Sequence, residues 1–217
     1  MAALIAKLIA SYLLGSVIGS LLVGRLRGGV DIRTMGSGNA GGTNALRTQG
    51  AGFALWVMVI DVGKAVLATT LVAQATLAGL APEPLSPQAV ALACGATAIV
   101  GHVWPAFYAL RGGKGAATLL GTLAVVAPWS LLPVLLTFAI SLVSSGYVGL
   151  STVLATATLP LFAAFATEAG TDGPLFVFGL GMTVFIAYTH RSNLARLRAG
   201  TEHRFEKVML LRRRSGA

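Results

Sequence analysis

Charged residues are scarce in this chain. Asp, Glu, Lys and Arg make up 11% of its 217 residues, where a soluble domain carries about 25%. With 55% apolar residues and a mean hydropathy of +0.80, that is the composition of a membrane protein. There is one cysteine, Cys94, inside the apolar run ALACGATAIV, which excludes a disulfide framework and a cysteine-based metal site. Only seven residues are acidic. Of these, Asp31, Glu202 and Glu206 alone fall in the segments assigned below to the cytoplasmic side. They are too few to gather a Mg²⁺ ion, so no metal or other cofactor is expected. Some catalytic patterns are missing as well. A His-x4-Asp acyltransferase needs Asp five residues after a His, where this chain has Phe107, Ala195 and Val208. No Gly-x-Ser-x-Gly elbow with a following Asp and His is present. The start of the chain, Ala2 to Gly24 with only Lys7 charged, lacks a basic leader and a cleavage site, and reads as a retained first span.

What remains is a set of apolar runs and an uneven distribution of positive charge. A spanning helix needs about 20 apolar residues. Residues 3–24, 53–80, 88–110, 151–167 and 174–189 qualify, and 116–143 is interrupted at Ala127-Pro128-Trp129. Lys and Arg cluster at 25–47, 111–114 and 191–214, with only Lys7 and Lys64 elsewhere, while the loops 81–87 and 168–173 carry only acidic charge. Positive charge stays on the cytoplasmic side. Every basic cluster lands there if Pro128 divides 116–143 into two short spans, since proline removes a backbone donor and clashes with the turn before it. The expectation is therefore an all-α integral membrane protein with one transmembrane domain over 1–217. It is a seven-helix bundle, N-terminus outside and C-terminus cytoplasmic, with short fourth and fifth helices at about 116–127 and 129–143. Five or six spans with a re-entrant hairpin is the alternative. The basic residues flank apolar spans, so their expected partner is the lipid bilayer rather than nucleic acid, and nothing points to an obligate protein partner.

Three polar stretches then fall on one side. The first is GSGNAGGTNALRTQG, residues 36–50. Gly-rich turns can present successive N–H groups to an anion, and Arg47 adds a planar fork suited to phosphate. A plain linker would look similar. The second, GHVWPAFYALRGGKGAAT, runs from Gly101 to Thr118 and contains His102, Arg111 and Lys114. It is not a P-loop, because Tyr108 and Gly115 stand where that motif needs Gly and Ser or Thr. The third, HRSNLARLRAGTEHRF, places His190, Asn193 and Arg196 at helical spacing, with Gly200 reading as a helix C-cap. Asp61 and Lys64, three apart in an apolar run, have the spacing to pair, and charges within a span usually serve a site or its support.

In this order the stretches resemble the motifs of the bacterial glycerol-3-phosphate acyltransferases that use acyl phosphate, the PlsY family. The pattern GSGNxGATN is similar to Gly36 through Asn44, GHxFPxxxxFxGGKGVAT to Gly101 through Thr118, and HxxNxxRLxxGTE to His190 through Glu202. Weaker matches are YVSLSS at Tyr147 through Thr152 and DxxKG at Asp61 through Ala65. The departures are Gly42 for Ala, Trp104 for Phe, Leu110 for Phe, Ala116 for Val and Gly149 for Ser. The last leaves Ser151 and Thr152 as two candidate hydroxyls.

The resemblance implies transfer of a fatty acyl group from acyl phosphate to the 1-hydroxyl of glycerol 3-phosphate, giving lysophosphatidic acid and phosphate at the inner membrane of a bacterium. Ser37, Arg47 and Lys114 would hold the donor phosphate together with Gly36, Gly38, Asn39, Thr43 and Asn44. His190, Asn193 and Glu202, with Gly112, Gly113 and Gly115, would organise glycerol 3-phosphate. Arg111 and Arg196 would add contacts, and His102 and Ser151 would support the site. The proton of the attacking hydroxyl has no evident carboxylate–His pair to go to, and His190 is the best protein base. A transporter of a small phosphate ester is the rival reading. It would need polar residues facing both sides or repeats with broken helices, and no internal repeat is evident.

Overall fold

The computed structural model describes residues 1–81, 83–206 and 209. Among them are ten α-helices and no strand. The chain packs as two compact units, Met1–Pro128 and Trp129–Ala217. Lys207 and Arg212 to Arg214, part of the C-terminal basic cluster, lie outside the described residues.

The first unit holds α1 (Ala2–Gly15), α2 (Gly19–Leu26), α3 (Gly42–Gln49), α4 (Ala51–Leu67), α5 (Pro87–Val103) and α6 (Ala116–Val126). The first apolar run is two helices bent by 46°, because Ile18 adopts extended backbone between them. α1 and α5 pack closely. Gly15 lies on the backbone of Ala98 and Gly101 on that of Tyr12, where a Cβ would overlap; small residues let apolar helices approach in this way. α4 continues through a wider turn, Ala68–Val72, where the hydroxyls of Thr69 and Thr70 donate to the carbonyls of Ala65 and Val66 at 2.8 and 2.7 Å. The expected span 53–80 thus ends near Gln74. The expected span 88–110 ends at Val103, since the residue before Pro105 disfavours helix. Lys7 is buried, and its ammonium meets the Ala73 carbonyl at 2.8 Å and Glu83 at 2.6 Å. That hydrogen bond holds the Glu83 carboxyl below its ordinary range.

The second unit holds α7 (Leu131–Ser145), α8 (Val148–Ala166), α9 (Pro174–Thr189) and α10 (Arg191–Arg198). α7 ends at Gly146 in the left-handed region. Pro160 lies inside α8 and leaves the Thr156 carbonyl without its helical donor. The Thr183 hydroxyl of α9 takes that place at 3.2 Å. In lipid such a rescue matters, because no water reaches the freed group.

By length and composition, three helical runs among the described residues suffice to cross a membrane: Ala51–Val72, Pro128–Ser145 and Val148–Ala166. The bent α1–α2 pair makes a fourth, and α5, α6 and α9 are shorter apolar helices. The chain does interrupt its helix at Ala127-Pro128, and α7 after the break has 15 residues, the length expected of 129–143 with a start two residues later; with the turn Pro128–Ser130 before it the run reaches 18 residues. Proline is a good first residue for a helix even where it ends the one before.

Candidate active site

The first motif folds around Asn44. This side chain is 1% exposed. Its amide donates to the carbonyls of Ile32, Met35 and Asn39 at 2.9–3.0 Å, and its oxygen accepts the Ser37 N–H at 3.0 Å. The sequence reading gave Asn44 to the phosphate; the structure places it beneath the loop, where it shapes the turn. Gly36 and Gly38 hold positive φ in that turn, and the Ser20 hydroxyl ties the Ala40 carbonyl to α2 at 2.7 Å. Ser37 stands exposed on the turn, Asn39 and Thr43 are half-buried, and Arg47 is exposed on the last turn of α3. The cradle is therefore not a slack linker, since its inward polar groups are satisfied and its outward ones are a hydroxyl and a guanidinium.

The second motif turns back on α5. The N–H groups of Gly112 and Gly113 donate to the carbonyls of Val103 and His102 at 3.1 and 3.0 Å. A Cβ on Gly112 would overlap the His102 carbonyl, and one on Gly113 would overlap the His102 ring at Nε2. These two amides are thus engaged with α5. What the glycines contribute is close seating of the segment that carries Lys114, which is half-buried just before Gly115, the residue preceding α6.

Arg33 braces the same motif, a role the sequence did not suggest. Its fork grips Asp31 at 2.7–3.1 Å. Its remaining nitrogen donates to the carbonyls of Arg111 and Tyr108 at 3.1 and 3.3 Å. The turn it braces contains Ala109 and Leu110 at φ 53° and 57°, a region costing non-glycine residues roughly 1–2 kcal/mol each. Hydrogen bonding by Arg33 holds the Asp31 carboxyl below its ordinary value of 3.8. The stability this adds is fully present above that value and fades as pH falls through the lower folded value. Arg33→Ala is expected to lower kcat/KM about tenfold, and Arg33→Lys to restore little, because an ammonium cannot make the fork; steady-state kinetics of both variants checks this.

In the second unit, Glu202 is the organiser. It accepts from the Asn193 amide at 2.6 Å and from Arg196 Nε at 2.7 Å. Asn193 rests on α8 at Gly149, where a Cβ would come within 2.7 Å of the Asn193 Cβ. Glycine at 149 is what lets α10 lie this close. His190, buried, precedes α10, and its Nδ1 is 2.8 Å from the Ile186 carbonyl. A carbonyl only accepts, so Nδ1 carries a proton. Ser151 is fully buried, bonded to the Tyr147 carbonyl at 2.9 Å and to the Ser141 hydroxyl of α7 at 3.1 Å. Thr152 bonds back to Val148 at 2.8 Å. Glu202→Gln, which keeps the shape but sets an amide donor against the donors of Asn193 or Arg196, is expected to destabilise the protein by about 1–3 kcal/mol, as a thermal melt measures. Among the described residues no three His, Cys, Asp or Glu side chains gather as a metal cage.

The family profile described as glycerol-3-phosphate acyltransferase matches residues 5–200. The chain is 37% identical to the glycerol-3-phosphate acyltransferase of Chlorobium chlorochromatii, over 94% of this chain and 97% of that one. It is 37% identical to the enzyme of the same name from Chlorobaculum tepidum, over 92% and 95%. Two crystal structures of PlsY (YgiH), an integral membrane glycerol 3-phosphate acyltransferase, are similar. The glycerol 3-phosphate form has TM-score 0.76 and 31% identity, covering 94% of this chain and 96% of that one. The lysophosphatidic acid form has TM-score 0.78 and 28% identity, covering 96% and 98%.

Proposed function

The chain belongs to the glycerol-3-phosphate acyltransferase family, and from that premise we propose how it acylates glycerol 3-phosphate to lysophosphatidic acid. The acyl donor is an acyl phosphate. The oxygen of the 1-hydroxyl attacks the acyl carbon, the bond from that carbon to the phosphate oxygen breaks, and inorganic phosphate leaves with the electron pair. This anhydride is already activated, so positioning and charge stabilisation do most of the work. Ser37, Arg47 and Lys114 hold the donor phosphate. Asn193, Arg196 and Glu202 organise glycerol 3-phosphate. The proton of the attacking hydroxyl passes to a phosphate oxygen, with His190 as the base the protein itself offers.

One observation carries this reading: residues 36–47 form a turn running into α3, in which Asn44 satisfies the inward backbone groups and Ser37 and Arg47 are exposed. The transporter reading is weaker. Its broken helix would present open ends to a ligand, whereas the break between α1 and α2 is capped by the protein's own Asp61 and Lys64.

The chain is an integral membrane protein, and we place its reactive loops on the cytoplasmic face. It crosses seven times, from an outer N-terminus to an inner C-terminus, through the α1–α2 pair, Ala51–Val72, α5, α6, Pro128–Ser145, α8 and α9. α6 is the short crossing, since 11 residues rise about 16 Å. Single cysteines at 128–130 and 145–147, in a chain with Cys94 replaced by Ala, test this. Labelling from outside at the first site and from inside at the second is expected, and the reverse refutes it. Formation of lysophosphatidic acid by the purified protein from acyl phosphate and glycerol 3-phosphate tests the reaction. Movement of a phosphate ester into vesicles without product would support the transporter.

A further inference from the structure

Asp61, Lys64 and His102 meet inside the first unit, each at most 3% exposed. Asp61 and Lys64 are one turn apart on α4, and His102 is on the last turn of α5. Asp61 Oδ1 accepts the N–H of Gly19 at 3.1 Å, and lies 3.0 Å from the Lys64 ammonium and 3.4 Å from His102 Nδ1. Its other oxygen finds no donor among the described residues. Lys64 Nζ donates to the Val17 carbonyl at 2.7 Å and is 2.8 Å from His102 Nδ1. Gly19 opens α2 and Val17 lies in the break after α1. The carboxylate therefore faces the positive start of one helix and the ammonium a carbonyl just past the negative end of the other, each the favourable sign.

The contact with His102 carries further. An ammonium has three donors and no acceptor. His102 Nδ1 faces both members of the pair, 2.8 Å from Lys64 Nζ and 3.4 Å from Asp61 Oδ1. The shorter contact governs, because 3.4 Å is beyond the usual N–H···O distance, and toward an ammonium it needs a lone pair on Nδ1. The ring proton then sits on Nε2, the atom against which Gly113 is packed. Two backbone bonds from Gly112 and Gly113 reach the same end of α5. A chain of contacts thus runs from the helix break, through the ion pair and the imidazole, to the segment that ends in Lys114.

We propose that Asp61 and Lys64 are positioning residues of the acyl-transfer site: they hold His102 as its Nε2–H tautomer against Gly113 and so set where residues 111–115 lie. The proposal rests on the reading of Lys114 as a ligand of the donor phosphate. A merely structural ion pair differs in one respect. Replaced as a pair by neutral side chains, it leaves a folded protein with little changed, whereas a positioning pair leaves a folded protein with an altered histidine.

The test is nitrogen NMR on protein labelled at histidine, with the His102 signals identified by their loss in His102→Gln. Wild type is expected to show the neutral Nε2–H pattern at pH 7. Asp61→Asn combined with Lys64→Met removes both charges together and strands neither. It is expected to move His102 toward the Nδ1–H form and to lower kcat roughly tenfold or more, with KM for glycerol 3-phosphate little changed. A wild-type ring that is Nδ1–H or imidazolium overturns the proposal without recourse to any variant. So does a folded double variant that keeps either the wild-type tautomer or the wild-type kcat. Absence of lysophosphatidic acid from the wild-type protein refutes the functional reading instead, since the nitrogen pattern reports on the cluster alone.

Discussion

Arg47→Ala is expected to lower kcat/KM about 10²–10³-fold, the range for removing one preorganised donor from a site of developing charge. The side chain is exposed on the last turn of α3, so its loss should leave the melting temperature nearly unchanged. Surface changes away from packing features stay within about 0.5 kcal/mol. Arg47→Lys should recover only part of the loss, because an ammonium is a point charge where phosphate is matched by a fork. Steady-state rates against acyl phosphate, beside a thermal melt, separate the two effects. An Arg47→Ala enzyme within threefold of wild type would remove Arg47 from the phosphate site.

Gly113→Ala is expected to cost at least about 10²-fold in kcat, the scale on which a displacement of about 1 Å in a reacting geometry acts. The added methyl falls on His102 Nε2, in a ring that is 2% exposed and held by Lys64. The ring has nowhere to retreat, so the segment must lift and carry Lys114 with it. Substitution at Gly52 is the comparison. It lies in the adjacent helix α4 with nothing near its missing Cβ, and Gly52→Ala should retain full activity. Were Gly113→Ala as active as Gly52→Ala, residues 111–115 would not be positioned by His102.

These two residues also show what was readable before any coordinates. Ser37, Arg47 and Lys114 stand out in the sequence as polar groups among glycines beside apolar runs. The Asp61–Lys64 pairing was legible too, because i,i+3 spacing on a helix brings side chains together. Contacts between distant segments were not. His102 reaches Lys64 across 38 residues, and Arg33 reaches Arg111 across 78, separations on which helical periodicity is silent. Asn44 misled for a different reason. A polar residue in a Gly-rich loop reads as a ligand contact, yet a buried turn must satisfy its own carbonyls first, and Asn44 does that. Glycines 112 and 113 were read as places for a phosphate to approach, and they are places where a helix end and a ring approach instead. Arg33 had a visible signal, since Asp31 two residues before it offered a carboxylate in a chain with very few.

The central claim is that acyl phosphate donates directly to glycerol 3-phosphate. The most direct measurement follows phosphate and lysophosphatidic acid together, with purified protein, acyl phosphate and a chelator present. The account predicts one phosphate released for each lysophosphatidic acid formed, and release only when glycerol 3-phosphate is added. Phosphate released without the acceptor, or no acceptor-dependent release at all, would contradict it.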